Sequence, residues 1–281
     1  MKRLIIIISA IVISACEAGL DYSRVESDEC ININAIIGNQ LSVVTAHVAI
    51  PMNSEDYDIC RKTVSVSGSI DGKPMVFTDH LGDTYFNEGT QVLNGGKIHP
   101  GDRIEIKASA DGIRDVRAET KVPEEINLIS ARIVERKKGF ITFEIIYEEE
   151  PGHEGFYGVH FYNNDISEGA GILLPESYDM IVPHWSGREI VIWDKHKVSR
   201  EGNVVTFRTS VEIREDTNAS AYSVTLYSLS PETFYYLRGE YIKSSTGFAA
   251  LGMGTPAFTY SNVIGGTGIT GSFWGTGITL K

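Results

Sequence analysis

Cysteine, basic charge and long apolar runs are all scarce in this chain of 281 residues. With three cysteines, it cannot be a small scaffold held by a mesh of disulfides. The lack of any Cys-x-x-Cys pair removes both a redox motif and a thiolate zinc site. Lys and Arg number 25 against 37 Asp and Glu, for a formal charge of −12. Nucleic-acid binding rests on cations that meet phosphates, so this balance argues against it. No apolar run reaches the roughly twenty residues that span a bilayer as a helix. The seven histidines form no HExxH pair, and no GxSxG elbow marks a nucleophile. What remains is the composition of an ordinary globular protein, 42% hydrophobic and 22% charged, at a length that favours two domains.

The N-terminus carries an address. Lys2 and Arg3 precede the apolar run Leu4 to Ile13, and Ser14 and Ala15 then lead to Cys16. A basic start, a short apolar core and small residues make a signal peptide over 1–15. Ile13-Ser14-Ala15-Cys16 has the form of a lipobox, in which cleavage leaves an acylated cysteine first; the alternative is plain secretion with Cys16 near the cut. Several acyl chains, palmitate among them, hold a protein durably to a membrane, so the expected location is the outer membrane, on its periplasmic face or at the cell surface. Loss of Lys2 and Arg3 takes the charge from −12 to −14. Residues 16–29, with Glu17, Asp21, Glu26, Asp28 and Glu29, read as an acidic tether. In an oxidising compartment Cys30 and Cys60 are expected to pair as a disulfide, the competing reading being two buried thiols.

Period-two alternation dominates the rest. Ile31, Ile33 and Ala35 alternate with Asn32 and Asn34. Ile104, Ile106, Ala108 and Ala110 alternate with Arg103, Glu105, Lys107 and Ser109, and Asp111-Gly112 then turns the chain into a return strand. Asp71-Gly72 marks another hairpin. The expected fold is mostly β: one β-sandwich over 30–123, immunoglobulin-like or transthyretin-like, and a second over 126–250. A single short helix is expected in the second, near 231–242, with Ser230 as its cap and Pro231 at its first position. Residues 251–281 read as a glycine-rich tail packed on the domains.

Several patterns invite a chemical reading. Gly266-Thr267-Gly268-Ile269-Thr270-Gly271 fits GxGxxG, but a dinucleotide loop needs a following helix, and the residues after it are β or loop in character. Close packing of a terminal segment on other backbone is the better reading. His153, Glu154 and His160 would need the fold to gather a metal, and Asn163-Asn164-Asp165 with Glu168 lacks the ordered calcium-loop spacing, so no metal and no cofactor is expected. Trp185, Trp193 and Trp274, with Tyr235 and Tyr236, are either stacking platforms or core. Trp185 with its neighbour His184, and Trp274 in the tail, are the candidate contacts for a ligand or partner.

Longer motifs carry a resemblance. Pro100-Gly101-Asp102-Arg103-Ile104-Glu105-Ile106 runs into Ala118-Glu119-Thr120-Lys121-Val122-Pro123. Leu226-Tyr227-Ser228-Leu229-Ser230-Pro231-Glu232-Thr233-Phe234-Tyr235-Tyr236-Leu237 follows, and Tyr260-Ser261-Asn262-Val263-Ile264-Gly265-Gly266-Thr267-Gly268-Ile269 closes the chain. With the lipobox, this order resembles the Bacteroidota outer-membrane lipoproteins known as domain of unknown function 4249. Gly155-Phe156-Tyr157 departs from that family's Asn-Tyr-Tyr, as do Thr267 and Thr270 from its Leu and Phe. The resemblance implies a non-enzymatic accessory that binds a small molecule or glycan beside a TonB-dependent transporter. The alternatives are a fimbrial or adhesin-like subunit that polymerises by strand donation and, third, a glycan-directed hydrolase with a carboxylate pair.

Overall fold

The computed structural model describes residues 29–40, 42–49, 62–79, 91–93, 97–137, 139–149, 155–163, 184–185, 188–196, 198–212, 222–245 and 260–280. Its first strands are β1 (Cys30–Gly38), β2 (Val43–Ala49), β3 (Ser65–Ile70), β4 (Lys73–Pro74), β5 (Phe77–Asp79), β6 (Gln91–Leu93), β7 (Arg103–Ala110) and β8 (Ile113–Lys121). Next come β9 (Asn127–Lys137), β10 (Phe140–Glu148), β11 (Phe156–Asn163), β12 (His184–Trp185), β13 (Arg188–Glu189) and β14 (Val191–Asp194). After β15 (Ser199–Glu201), β16 (Val204–Glu212) and β17 (Tyr222–Leu229), the helix α1 (Pro231–Ser245) precedes β18 (Thr267–Leu280).

The alternation read from the sequence is the alternation of burial. Ile31, Ile33, Ala35 and Ile37 of β1 are fully buried while Asn32 and Asn34 face the other way, because successive strand residues point to opposite faces. The β7–β8 hairpin turns at Asp111-Gly112, where Gly112 has φ +73°. The β3–β4 turn puts both Asp71 (φ +49°) and Gly72 (φ +76°) in the left-handed region, the geometry that Asp-Gly favours in tight hairpins.

An eight-stranded sheet runs in the order β14-β11-β17-β18-β1-β2-β6-β5. Two four-stranded sheets, β4-β3-β7-β8 and β15-β16-β10-β9, cover one of its faces. Where β1 and β2 meet β7 and β8, the first core contains Ile31, Ile33, Val44, Ile104, Ile106 and Val116. Where β11 and β17 meet β10 and β16, the second contains Phe143, Tyr147, Tyr157, Phe161, Trp193 and Phe207. The Trp193 ring stacks on Phe207 at 4.3 Å. The architecture is thus mostly β with sandwich packing, as the pattern implied.

Residues 267–280, read from the sequence as part of a tail packed on the domains, form a strand inside the large sheet. β18 runs parallel to β1 (Asn32↔Thr267 to Gly38↔Phe273) and antiparallel to β17 (Tyr222↔Leu280 to Leu229↔Phe273). It therefore joins strands from both halves of the chain in one hydrogen-bonded sheet.

The helix lies on the opposite face. Phe234 and Leu237 are almost fully buried against Ile190, Ile192, Tyr227, Leu229 and Phe273, and each such side chain contributes about 2 kcal/mol by burial. It runs to Ser245, three residues beyond the expected end.

Candidate functional site

A cleft of about 430 Å³ opens between α1 and the parallel β1–β18 pair. Its floor comes from the sheet. The core takes the odd residues of β1, so Asn32 and Asn34 project on the helix side, with Thr267 opposite Asn32 on β18. Gly268 follows Thr267 and brings the β18 backbone close against β1. Its φ of +100° and a would-be Cβ only 1.9 Å from the Ile33 carbonyl oxygen require glycine there. From the helix come Tyr236 and Glu240, four residues apart and so on one face. Tyr260 and Ser261 close the remaining side.

The groups are pre-positioned. Asn32 Nδ2 donates to Thr267 Oγ1 at 3.0 Å, and Cys30 Sγ lies 3.9 Å from the same hydroxyl. The Asn34 side chain lies beside the Tyr236 hydroxyl. Burial, then the charge of Glu240, pushes the Tyr236 phenol above its ordinary range, against the smaller opposing pull of Asn34. Burial, then Glu232, does the same to Tyr260. Both phenols are therefore uncharged across the neutral range. The Tyr260 ring is 5.8 Å from that of Tyr235, which meets Phe156 edge-on at 5.5 Å. On β2, His47 pairs with Asn32 across the sheet, and burial lowers its pKa. The cleft thus presents amides, hydroxyls, two aromatic rings and one carboxylate, and no Lys or Arg is among its described lining. This set can hold an uncharged polar molecule by hydrogen bonds and ring contact.

Of the residues picked from the sequence, Trp274 lies elsewhere. Trp274 packs half-buried against the first core, on the face of β18 opposite Phe273. His184 and Trp185 form β12, which pairs with β13 (His184↔Glu189, Trp185↔Arg188) and lies beside α1. Trp274 is not in the described lining of the cleft, and the side chains of His184 and Trp185 lie outside the described residues. Cys30 is half-buried and has no disulfide partner among the described residues. Cys16 and Cys60, with His153, Glu154, Asp165 and Glu168, lie outside the described residues. His160 is buried on β11, its Nδ1 3.0 Å from the Tyr162 hydroxyl. Among the described residues no His, Cys, Asp and Glu group gathers as a metal site. No described helix is long and apolar enough to cross a membrane. The sequence did contain the signal for the cleft: Asn32 and Asn34 share the polar side of a strand whose other side is fully apolar.

A second polar cluster is closed by its own bonds. Ser230 Oγ accepts from the Thr233 and Ser272 amides at 3.3 and 3.1 Å. Thr120 Oγ1 donates to Glu232 Oε2 at 3.1 Å, Thr233 Oγ1 to the Ser272 carbonyl at 3.0 Å, and Ser272 Oγ to the Lys121 carbonyl at 2.7 Å. Nearby, Asn262 Nδ2 donates to the Glu119 and Thr270 carbonyls, and its Oδ1 accepts from the Thr270 amide. The three sequence motifs meet here. Their shared work is to fasten β8, α1 and β18 together, since the hydroxyls of Thr120, Ser230, Thr233 and Ser272 are all hydrogen-bonded, while the buried Thr270 Oγ1 beside them makes no hydrogen bond among the described residues.

The family model for "Domain of unknown function (DUF4249)" matches residues 19–276, nearly the whole chain. No curated protein matches. Among solved structures, the crystal structure of bovine butyrophilin is similar at 10% identity and a TM-score of 0.21, over 71% of this chain and 92% of that one.

Proposed function

We propose, from the premise that this chain belongs to the domain of unknown function family DUF4249, that it is a lipid-anchored Bacteroidota protein of the outer membrane. In this reading Cys16 carries the acyl anchor, and the folded part captures a ligand non-covalently as an accessory to a TonB-dependent transporter. The lipobox at Ile13-Ser14-Ala15-Cys16 and the acidic segment after it support the address. The observation that carries the capture role is the cleft, whose amides, hydroxyls and protonated phenols are organised to hold rather than to cleave.

Two measurements test this. Cys16→Ser should move the protein from the membrane to the soluble fraction; retention at the membrane would refute the anchor. A tagged, native-level protein from solubilised outer membranes should bring a transporter with it, whereas a clean monomer would count against the accessory role. A ladder of SDS-resistant oligomers would favour a polymerising subunit instead. In the large sheet the place between β1 and β17 is taken by the chain's own β18.

A further inference from the structure

We infer that the cleft between α1 and the β1–β18 pair binds a neutral saccharide, with a sugar ring against Tyr260 and its hydroxyls bridged by Asn32, Asn34 and Glu240. The inference gives the capture reading above a ligand class, and it rests on that reading only for its purpose.

The chemistry of the lining selects the ligand. A sugar hydroxyl both donates and accepts, and so do the Asn amides and the Ser and Thr hydroxyls that line this cleft. A carboxylate such as Glu240 accepts from hydroxyls and makes the stronger, charge-assisted kind of bond. The Tyr236 hydroxyl, kept protonated by burial, adds a donor. One face of a pyranose is a patch of C–H groups, and an aromatic ring at the side of a polar cleft offers the matching apolar surface. Tyr260 is braced for this by Tyr235 at 5.8 Å, itself packed edge-on against Phe156 and Phe234 at 5.5 and 5.6 Å. A volume of about 430 Å³ falls in the range of sites for small molecules and suits a mono- or disaccharide.

The same lining disfavours the competitors. An anion would meet the Glu240 carboxylate, in a chain of net charge −12. An ammonium ligand would be drawn by Glu240 and the rings. It has only donors, however, and so uses only the acceptor half of side chains that carry both a donor and an acceptor, which a sugar hydroxyl can use in full.

The other described grooves do not offer such a set. The larger groove beside β9 is walled by Arg132 and Arg136. Arg132 is engaged by Glu144, and Arg136 lies 5.7 Å over the Tyr222 ring.

Saturation-transfer NMR and calorimetry on the full purified chain decide the matter, with glucose, galactose, N-acetylglucosamine and maltose as probes and glucuronate and choline as charged controls. Expected are transfer to the ring C–H protons of at least one neutral sugar and, for that sugar, an approximately tenfold or greater loss of affinity in Tyr260→Ala and in Asn34→Ala. Tyr260→Phe should retain binding, because it keeps the ring. Should an alanine variant lose its native melting transition, the isosteric Glu240→Gln takes its place and is expected to weaken the same sugar. Silence from all four sugars, preference for glucuronate or choline, or affinity unchanged in the folded variants would overturn the inference. Sugar failure with a transporter still co-purifying removes the ligand class alone. Sugar binding without a transporter removes the partner alone.

Discussion

At Gly268 an added methyl group would sit 1.9 Å from the Ile33 carbonyl oxygen, in a backbone conformation that only glycine adopts easily. Gly268→Ala is therefore expected to destabilise the protein by about 2–5 kcal/mol, the sum of a left-handed backbone cost and forced displacement of β1. A denaturant midpoint within error of the parent would contradict this. Glu144 offers a second residue-scale test. It lies between Arg208 of β16 and Arg132 of β9, directly opposite both, with each Nε at 2.6 Å and a second nitrogen of each in close contact. The Arg208 hydrogen bond, then that of Arg132, pulls its pKa below the usual carboxylate range. The unfolded chain then binds the proton at higher pH than the native one. The stabilisation is complete above the ordinary Glu pKa of about 4.3 and is lost as pH falls through the lower native value. Glu144→Gln should flatten that acid limb of the stability profile, and an identical limb in the variant would rule the pair out as its source.

At the scale of the element, α1 was the most legible part. Ser230, Pro231 and the spacing of Phe234, Leu237 and Tyr241 carry its start and its buried stripe, and Ser230 Oγ does accept the Thr233 amide. The sequence could not reveal that the same oxygen also receives the Ser272 amide, from a residue 42 positions away. Ser230→Ala thus removes a helix cap and a tie to β18 together. The expected loss is about 2–3 kcal/mol, above the cost of a cap alone, as read by thermal or urea unfolding. A loss under about 1 kcal/mol would mean that the tie contributes little. The hairpins were legible for a similar reason: Asp71-Gly72 and Asp111-Gly112 carry their backbone conformation in their own chemistry. For Trp274 the local signal misled. A tryptophan among glycines looks exposed, yet its face of β18 turns toward the first core.

On the scale of the whole molecule, β18 is the spine. It pairs along its first half with β1 and along its second with β17, and so completes both sandwiches from the chain's last strand. It is tied down elsewhere as well: just before it Ile264 exchanges two backbone hydrogen bonds with Arg117, and within it the Gly275 backbone exchanges two with the Asn39 side-chain amide. Truncation after Asn262 should expose unpaired edges on β1 and β17 and uncover Phe234 and Leu237, giving an aggregating chain with no cooperative melting transition. A soluble truncated protein with native near-ultraviolet circular dichroism would refute that role.

The positions and apolar sides of strands such as β1, β7 and β8, the turn residues and the helix start were determined by the sequence alone, because each depends on residues within a turn or a strand length of one another. The partners of those strands were decided only in three dimensions. Cys30 and Thr267 are 237 residues apart, yet their side chains meet beside the cleft, and no local pattern encodes which strand a ladder will accept. The cleft follows from that choice. Asn32 and Asn34 were legible as a polar face, but their place opposite Tyr236, Glu240 and Tyr260 arises because burying the two cores draws β18 against β1 and lays α1 across the sheet's other side.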